Sequence, residues 1–207
     1  MASTKAPLFG LDASGSLGGA IVFAKWKGRS YVRMHSVPSN PNTLAQIGVR
    51  ALMKFITQDF TNLTAPEVQE WDDLAASDQI TALNAQVRDG MNRAKIGQGW
   101  REFPTATALT TIDPPTGLTL TALPKGVRIA WTRPAAHQGN YSVAVYLSET
   151  TGFTPSRNNL RVVLPVASVT VDVLDLATGI PVYARVRETS QAGELGTLVA
   201  QGTATPT

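Results

Sequence analysis

The part of the chain that most constrains the fold is residues 114–207, where short apolar strands alternate with turns. Residues 127–131 and 169–173 carry apolar side chains at every second position, which is typical of a strand with one buried face. Clusters of Gly, Pro, Asn and Thr separate such segments at short intervals. This pattern predicts a β-sandwich over residues 114–207.

Length and composition indicate a globular chain of two domains. The chain has 207 residues, of which 43% are hydrophobic and 16% are charged, and it contains no cysteine. The absence of cysteine excludes disulfides and thiolate metal ligands. No segment approaches the roughly 18 apolar residues of a membrane-spanning helix, and no apolar core of a signal peptide follows Met1. We therefore expect a protein made in a cytoplasm that has no membrane partner.

The first hundred residues predict a glycine-rich arm, a hairpin and three helices. Residues 8–19 contain four glycines, and Lys27-Gly28 fits a tight turn between strands 20–26 and 29–36. An isolated hairpin is marginal in water, so this one should pack on the helices or add to a sheet in a partner. Strand alternation predicts two faces, with Ile21, Phe23 and Lys25 on one and Val22, Ala24 and Trp26 on the other.

Capping signals place the three helices. The prolines of residues 38–41 break the chain, and Thr43 then caps a helix that runs to about residue 60. A capping box at residues 64–67 starts a second helix, and a third is predicted from about residue 81 to residue 95. The predicted fold class is therefore α+β: a small N-terminal β-hairpin plus three-helix domain, followed by an all-β sandwich. The predicted domains are residues 1–102 and 114–207, with a linker at 103–113.

Positive charge is concentrated near the N-terminus. Residues 1–50 carry six basic residues and one acidic residue, whereas residues 51–104 carry five basic and eight acidic residues. The basic segment can meet nucleic acid or an acidic protein, or it can be a solvated hairpin beside an acidic helix; the last is favoured because no run of four basic residues occurs. The candidate partner interface comprises Lys25, Trp26, Lys27, Arg29, Tyr31, Arg33, Gln46 and Arg50. Within that set, Gln46 and Arg50 share one helical face, where a role in fixing the fold is favoured over partner binding.

Residues that could carry catalysis are sparse. The two histidines, His35 and His137, are not spaced as metal ligands, and the adjacent Asp72 and Asp73 point about 100° apart on a helix. The glycines of the arm do not match a phosphate-binding loop, because a strand follows them where a helix is required. We therefore expect no enzyme activity, no metal and no cofactor.

An ordered set of residues in the first domain resembles a known family. Gly18-Gly19, the hairpin, Asn40-Pro41-Asn42-Thr43, and then Gln46 and Arg50 on the helix follow one another as in small structural proteins from the virions of tailed bacteriophages. The resemblance covers roughly residues 15–100. It implies a virion location, production in a bacterial host cytoplasm, other virion proteins (major capsid or tail proteins) as partners, and a homo-oligomer.

The second domain is similar to a fibronectin type III domain over residues 114–205. The resemblance rests on Pro114-Pro115, Trp131, Leu176 with Gly179, and the run 185–187. The position of the family's corner tyrosine holds Val182, so we expect Val182 to point inward and Tyr183 outward. Tyr141, Tyr146 and Tyr183 are either scattered surface aromatics, which are common, or side chains that line a sugar-binding surface.

These observations together predict a non-enzymatic structural protein of a phage virion. Capsid decoration is the first expectation, with the N-terminal domain docking and the sandwich projecting outward. The alternatives are a tail or baseplate structural or adhesion protein, which would contact a host surface or glycan, and a nucleic-acid-binding protein that uses the basic hairpin. Nucleic acid is the less favoured of these partners.

Overall fold

The structure is a computed structural model that describes residues 2–3, 15–27, 29–36, 42–109, 111–133 and 139–207. The chain divides into two compact units, Met1–Pro41 and Asn42–Thr207. Most of the predicted glycine-rich arm, the proline-containing turn at 38–41 and His137 lie outside the described residues.

The first unit contains a four-stranded antiparallel sheet in the order β1-β4-β3-β2. The predicted hairpin is confirmed as β3 and β4, and Lys27 adopts a positive φ of 49° in the connection. Two short strands, which the sequence did not predict, extend the sheet at its edges. Gly18 and Gly19 adopt φ values of 56° and 68°, so they allow the tight turn between β2 and β3. The strands are β1 (Ala2–Ser3), β2 (Gly15–Leu17), β3 (Ile21–Trp26) and β4 (Arg29–Met34).

The second unit begins with the three predicted helices, each with a local signal at its start. The Thr43 hydroxyl accepts a hydrogen bond from the Gln46 amide at 3.4 Å. The Thr64 amide donates to the Glu67 carboxylate at 2.7 Å, which completes the predicted capping box. The helices are α1 (Leu44–Asp59), α2 (Ala65–Ala76) and α3 (Ala82–Lys95), with a 3₁₀ turn (Phe60–Asn62) after α1.

The predicted sandwich follows, with three strands in one sheet and four in the other. The orders are β5-β6-β9 and β11-β10-β7-β8, and every pair of neighbours is antiparallel, which is a fibronectin type III-like arrangement. Its core contains Ile129, Trp131 and Val145. The strands are β5 (Thr116–Leu123), β6 (Gly126–Thr132), β7 (Asn140–Ser148), β8 (Leu160–Pro165), β9 (Thr170–Leu174), β10 (Val182–Ser190) and β11 (Gly202–Ala204).

The predicted departure from the corner tyrosine is confirmed. Val182 is 4% exposed and belongs to the sandwich core, whereas its neighbour Tyr183 packs against a different cluster on the opposite face of β10. Alternation along a strand therefore places the valine where the tyrosine was expected.

The helices cover the outer face of the four-stranded sheet. Strand β7 is buried from Asn140 to Leu147, because Val145 faces the sandwich core while Tyr146 faces the helices. Leu52, Phe55 and Ile56 of α1 pack into the same cluster as that tyrosine. The second unit is thus a three-layer body of helices, sheet and sheet. The sequence prediction grouped the helices with the hairpin, whereas the structure places them in one unit with the sandwich.

The segment predicted as a linker, residues 103–113, is hydrogen-bonded to both the helices and the sandwich. The Thr105 amide donates to the Glu70 carboxylate of α2 at 3.0 Å. Further along, the Leu109 amide donates to Glu194 of the sandwich at 3.3 Å. These bonds tie the segment to both layers that it connects.

We predict that Gly48→Ala will destabilise the second unit. Ala normally stabilises a helix interior by about 1 kcal/mol relative to Gly, but a Cβ at position 48 would overlap the carbonyl oxygen of Arg157, which is backbone. We expect a loss of about 1–3 kcal/mol in the free energy of unfolding, measured by urea titration.

Gly90→Ala in α3 is the matched control. Its Cβ would overlap the terminal methyl of the Ile56 side chain rather than backbone, and a side-chain tip shifts more easily than a carbonyl, so we expect a smaller loss than for Gly48→Ala. A stabilising effect of Gly48→Ala would show that α1 does not pack closely on the sandwich.

Candidate interaction surfaces

One face of the N-terminal sheet carries a row of exposed apolar side chains. Leu17 is paired in register with Ile21, and Ile21 with Met34, so the three lie side by side across β2, β3 and β4. Their side chains are 60%, 38% and 84% exposed, respectively. The next row, Phe23 and Val32, is half-buried. We refer to these five residues as the apolar face.

The predicted interface residues of the hairpin do not all lie on one side of this sheet. Lys25 is paired with the buried Ser30 and, by strand alternation, lies on the same side of the sheet as the apolar face. Tyr31 and Arg33 lie on the opposite side of the sheet, where Tyr31 is half-buried and Arg33 is exposed. The backbones of Trp26 and Arg29 are paired with each other next to the turn at Lys27. The basic residues therefore lie around the sheet rather than on a single face.

Gln46 and Arg50, the remaining predicted interface residues, lie on α1 of the second unit. A guanidinium nitrogen of Arg50 donates to the side-chain oxygen of Asn42 at 2.9 Å. Asn42 has a positive φ of 47° just before the helix, so this bond helps to fix the start of α1. The structure gives Arg50 a local role in the fold, which agrees with the interpretation that the sequence favoured.

Helix α2 presents an acidic surface. Asp72 and Asp73 are exposed on it, and the neighbouring Leu74 is 46% exposed. Asp78, just after the helix, forms an ion pair with Arg88 at 2.6 Å. Because successive helical residues point about 100° apart, Asp72, Asp73 and Leu74 do not share one face of the helix.

A cluster of partly buried acids lies where the helices meet the sandwich. Burial raises the pKa of Glu102 to about 7, although a hydrogen bond with Gln191 opposes the shift. Burial likewise raises the pKa of Asp59, and the nearby Tyr141 hydroxyl lowers it. That hydroxyl and one oxygen of each carboxylate are buried without a hydrogen bond of good geometry. The cluster is therefore more easily accommodated in its protonated form.

A groove of about 260 Å³ lies between α1 and β8. Apolar side chains such as Phe55 and Val163 line it, together with Lys54, Asp59 and Arg161. Burial lowers the pKa of Arg161, and Glu149 opposes that shift. The groove offers one carboxyl and two cationic groups on an apolar wall.

The structure contradicts the sugar-binding alternative. Tyr141 and Tyr146 are 5% and 6% exposed and lie beneath the helical layer, so they cannot stack on a sugar at the surface. The prediction failed because it treated the outer face of the sheet as solvated. Among the described residues, no group of three or more metal-ligating side chains is close enough to share an ion. In the same part of the chain, no helix is long and apolar enough to cross a membrane.

No protein-family model and no curated protein matches the chain. Several solved structures resemble its fibronectin type III-like part. The fn3 domain of human collagen alpha-1(XX) aligns with 49% of this chain and 90% of its own, at 20% identity and a TM-score of 0.39. An Fn3-like protein from Clostridium thermocellum aligns with 47% of this chain and 96% of its own, at 20% identity and a TM-score of 0.38. The sixth fibronectin type III domain of human fibronectin type III domain containing protein 3 aligns with 48% of this chain and 91% of its own, at 14% identity and a TM-score of 0.39.

We predict that the stability of the protein will fall between pH 5 and pH 8 because of Glu102. Its pKa is about 7 in the folded state against an ordinary value of 4.5, so in this window the folded state holds a proton that the unfolded state releases. The contribution of this bound proton to the free energy of unfolding is present at low pH and is lost as the pH rises through 7. Glu102→Gln should therefore raise the free energy of unfolding at pH 8 by about 1–2 kcal/mol after solvent screening, with a corresponding rise in Tm, and leave both nearly unchanged at pH 5.

Differential scanning calorimetry at several pH values measures this effect. The exposed Glu149, changed to Gln, serves as the control and should keep the wild-type dependence on pH. If Glu102→Gln lowers the Tm at pH 8, the Glu102 carboxylate stabilises the fold in its charged form.

Proposed function

We propose that this chain is a non-enzymatic structural protein of a tailed-bacteriophage particle, which docks through its N-terminal sheet and displays the sandwich. The observation that carries the docking role is the exposed row of Leu17, Ile21 and Met34. The resemblance of residues 15–100 to virion proteins supplies the phage context.

The N-terminal sheet has the properties of a surface that is completed by a partner. A small antiparallel sheet is stable when one face is covered, and here three large apolar side chains of one face stay exposed at its edge. Contiguous exposed apolar side chains favour association with another protein. Basic residues on both sides of the sheet favour a partner with acidic groups.

The second unit suits a role in display. Its helices and both sheets share buried contacts, so its fibronectin type III-like part is supported on one side by a covering layer. A fibronectin type III-like module is a protein-interaction module, and a supported one presents its loops on a rigid body. Capsid decoration is the position we favour, because a repeated lattice needs one small anchor per displayed module.

We predict that purified phage particles contain this chain and that removal of residues 1–41 abolishes its incorporation. The boundary follows the division into compact units, so the remaining residues 42–207 should keep the Tm of their own transition. Mass spectrometry of purified particles measures incorporation, and calorimetry of the truncated chain measures folding. Absence of the full chain from particles would refute the proposal.

Copy number distinguishes the two positions within a particle. Decoration predicts near-stoichiometry with the major capsid protein, whereas a tail or baseplate position predicts far fewer copies. If the basic hairpin bound nucleic acid instead, binding would fall steeply with salt and would be lost when Lys25, Lys27, Arg29 and Arg33 are changed to Ala.

A further inference from the structure

The groove between α1 and β8 runs along an open edge of the larger sheet. Strand β8 is the last strand in the order β11-β10-β7-β8, so β7 pairs with one of its sides only. Successive residues of a strand point to opposite faces, so a groove on one face of a sheet is lined by alternate residues. This groove is instead lined by every residue from 161 to 165. It therefore follows the backbone along the edge of the strand.

Backbone groups of β8 point towards this open edge. The Val166 amide donates to the Tyr141 carbonyl at 3.2 Å, which fixes the hydrogen-bonded positions of the β7–β8 ladder. Because such positions alternate along an antiparallel pair, Leu164 also bonds with β7, whereas the N–H and C=O of Val163 point away from it. Pro165 belongs to the same outward set, as expected for a proline in an edge strand. Within the described part of the chain, no further strand pairs with this side of β8.

The opposite wall of the groove is one side of α1. Ala51, Lys54 and Gln58 recur at three- and four-residue steps, so they form one stripe that faces β8. Phe55 adds an aromatic side chain, and it belongs to the buried cluster that also holds the side chain of Val163. The groove is thus bounded by an open strand edge and by a partly apolar stripe of a helix.

The charged groups of the groove favour an acidic occupant. Arg161 and Lys54 supply two positive charges, whereas Asp59 is the one carboxyl group among the described residues that line it. Burial raises the pKa of that carboxyl, so its negative charge is disfavoured. The Arg161 Nε is buried and has no hydrogen-bond partner among the described residues. Guanidinium groups bind carboxylates strongly, so an acidic side chain in the groove satisfies this donor.

We propose that the groove binds an extended peptide segment of a partner protein, which adds to the free edge of β8 as a further strand and places an acidic side chain against Arg161 and Lys54. Hydrogen bonds with the backbone of Val163 hold the segment in place. Its side chains on the other face extend the edge of the sandwich core beside Val162 and Leu164, so apolar residues fit there. The matching segment therefore alternates apolar residues with an Asp or Glu.

Titration of the full chain with a short synthetic peptide tests the proposal. The probe is Ser-Thr-Val-Asp-Val-Ser, acetylated and amidated at its ends so that the Asp side chain is its sole charge. We expect the changes in backbone amide NMR shifts to be confined to β8 and the facing side of α1, with slower hydrogen exchange of the Val163 amide. The matched peptide with Lys in place of Asp should bind about tenfold more weakly or worse.

N-methylation of the peptide distinguishes strand addition from binding through side chains alone. The N–H groups of an added strand point alternately towards β8 and away from it. One methylated peptide carries the change at Thr and Asp, and the other carries it at both Val residues. One of the two should lose binding while the other keeps it, and equal effects in both overturn the proposal.

Charge reversal in the groove is the complementary test. Lys54→Glu with Arg161→Glu should weaken binding of the Asp peptide about tenfold or more and strengthen binding of the Lys peptide. Lys95→Glu with Lys125→Glu, at two exposed positions outside the groove, is the matched control and should bind as the wild type does. Circular dichroism and the Tm verify folding. If the groove variant is misfolded, Lys54→Glu alone, at an exposed position, takes its place.

Absence of binding by the Asp peptide refutes the proposal, and so does binding that the groove variant leaves unchanged. Sodium acetate at the same concentration controls for the carboxylate alone. If acetate produces the same shifts as the peptide, the groove takes small carboxylates rather than a strand, which also refutes the proposal. The groove lies wholly in the second unit and the titration contains no phage component, so failure here is distinct from failure of the virion assay.

Discussion

The short segment that follows α3 holds the second unit together, because its polar groups bind to both the helices and the sandwich. The indole nitrogen of Trp100 donates to the Ser142 hydroxyl of β7 at 2.8 Å, and both side chains are buried. Two residues later, the Glu102 carbonyl accepts hydrogen bonds from the side chains of Trp71 in α2 and Gln86 in α3. Breaking these bonds would leave buried donors unsatisfied, so the helices cannot slide over the sheet without a large penalty.

The sequence predicted the elements of this unit because their signals are local. Thr43 and the Thr64–Glu67 capping box mark the starts of helices through bonds that span three residues. The covering of the sheet by the helices depends on contacts between distant residues, so local patterns did not reveal it. One signal was available in β7, where Ala144 and Tyr146 are apolar on the face that an ordinary sandwich strand exposes. A strand with apolar residues on both faces predicts two covered faces.

The two faces of the N-terminal hairpin were also predictable in part, because their signals are local. The turn at Lys27 and the alternation of β3 predicted which residues share a face. The row formed by Leu17, Ile21 and Met34 requires the pairing of β2, which is a strand of three residues with only one apolar side chain. The basic and aromatic residues of the hairpin therefore suggested an interface there, but they did not reveal the apolar residues that are exposed on one of its faces.

The division of burial between the two units explains where binding is expected. In the second unit, α1 occupies the outer face of the larger sheet, so the tyrosines there are used for packing. The outer face of the smaller sheet carries a polar pair, in which Arg128 binds Asp172 through two hydrogen bonds of 2.7 and 2.8 Å. The outer face of the larger sheet is thus covered by the chain itself, whereas that of the smaller sheet is exposed. Leu17, Ile21 and Met34 of the N-terminal sheet stay exposed, and contiguous exposed apolar side chains of this kind favour association with a partner.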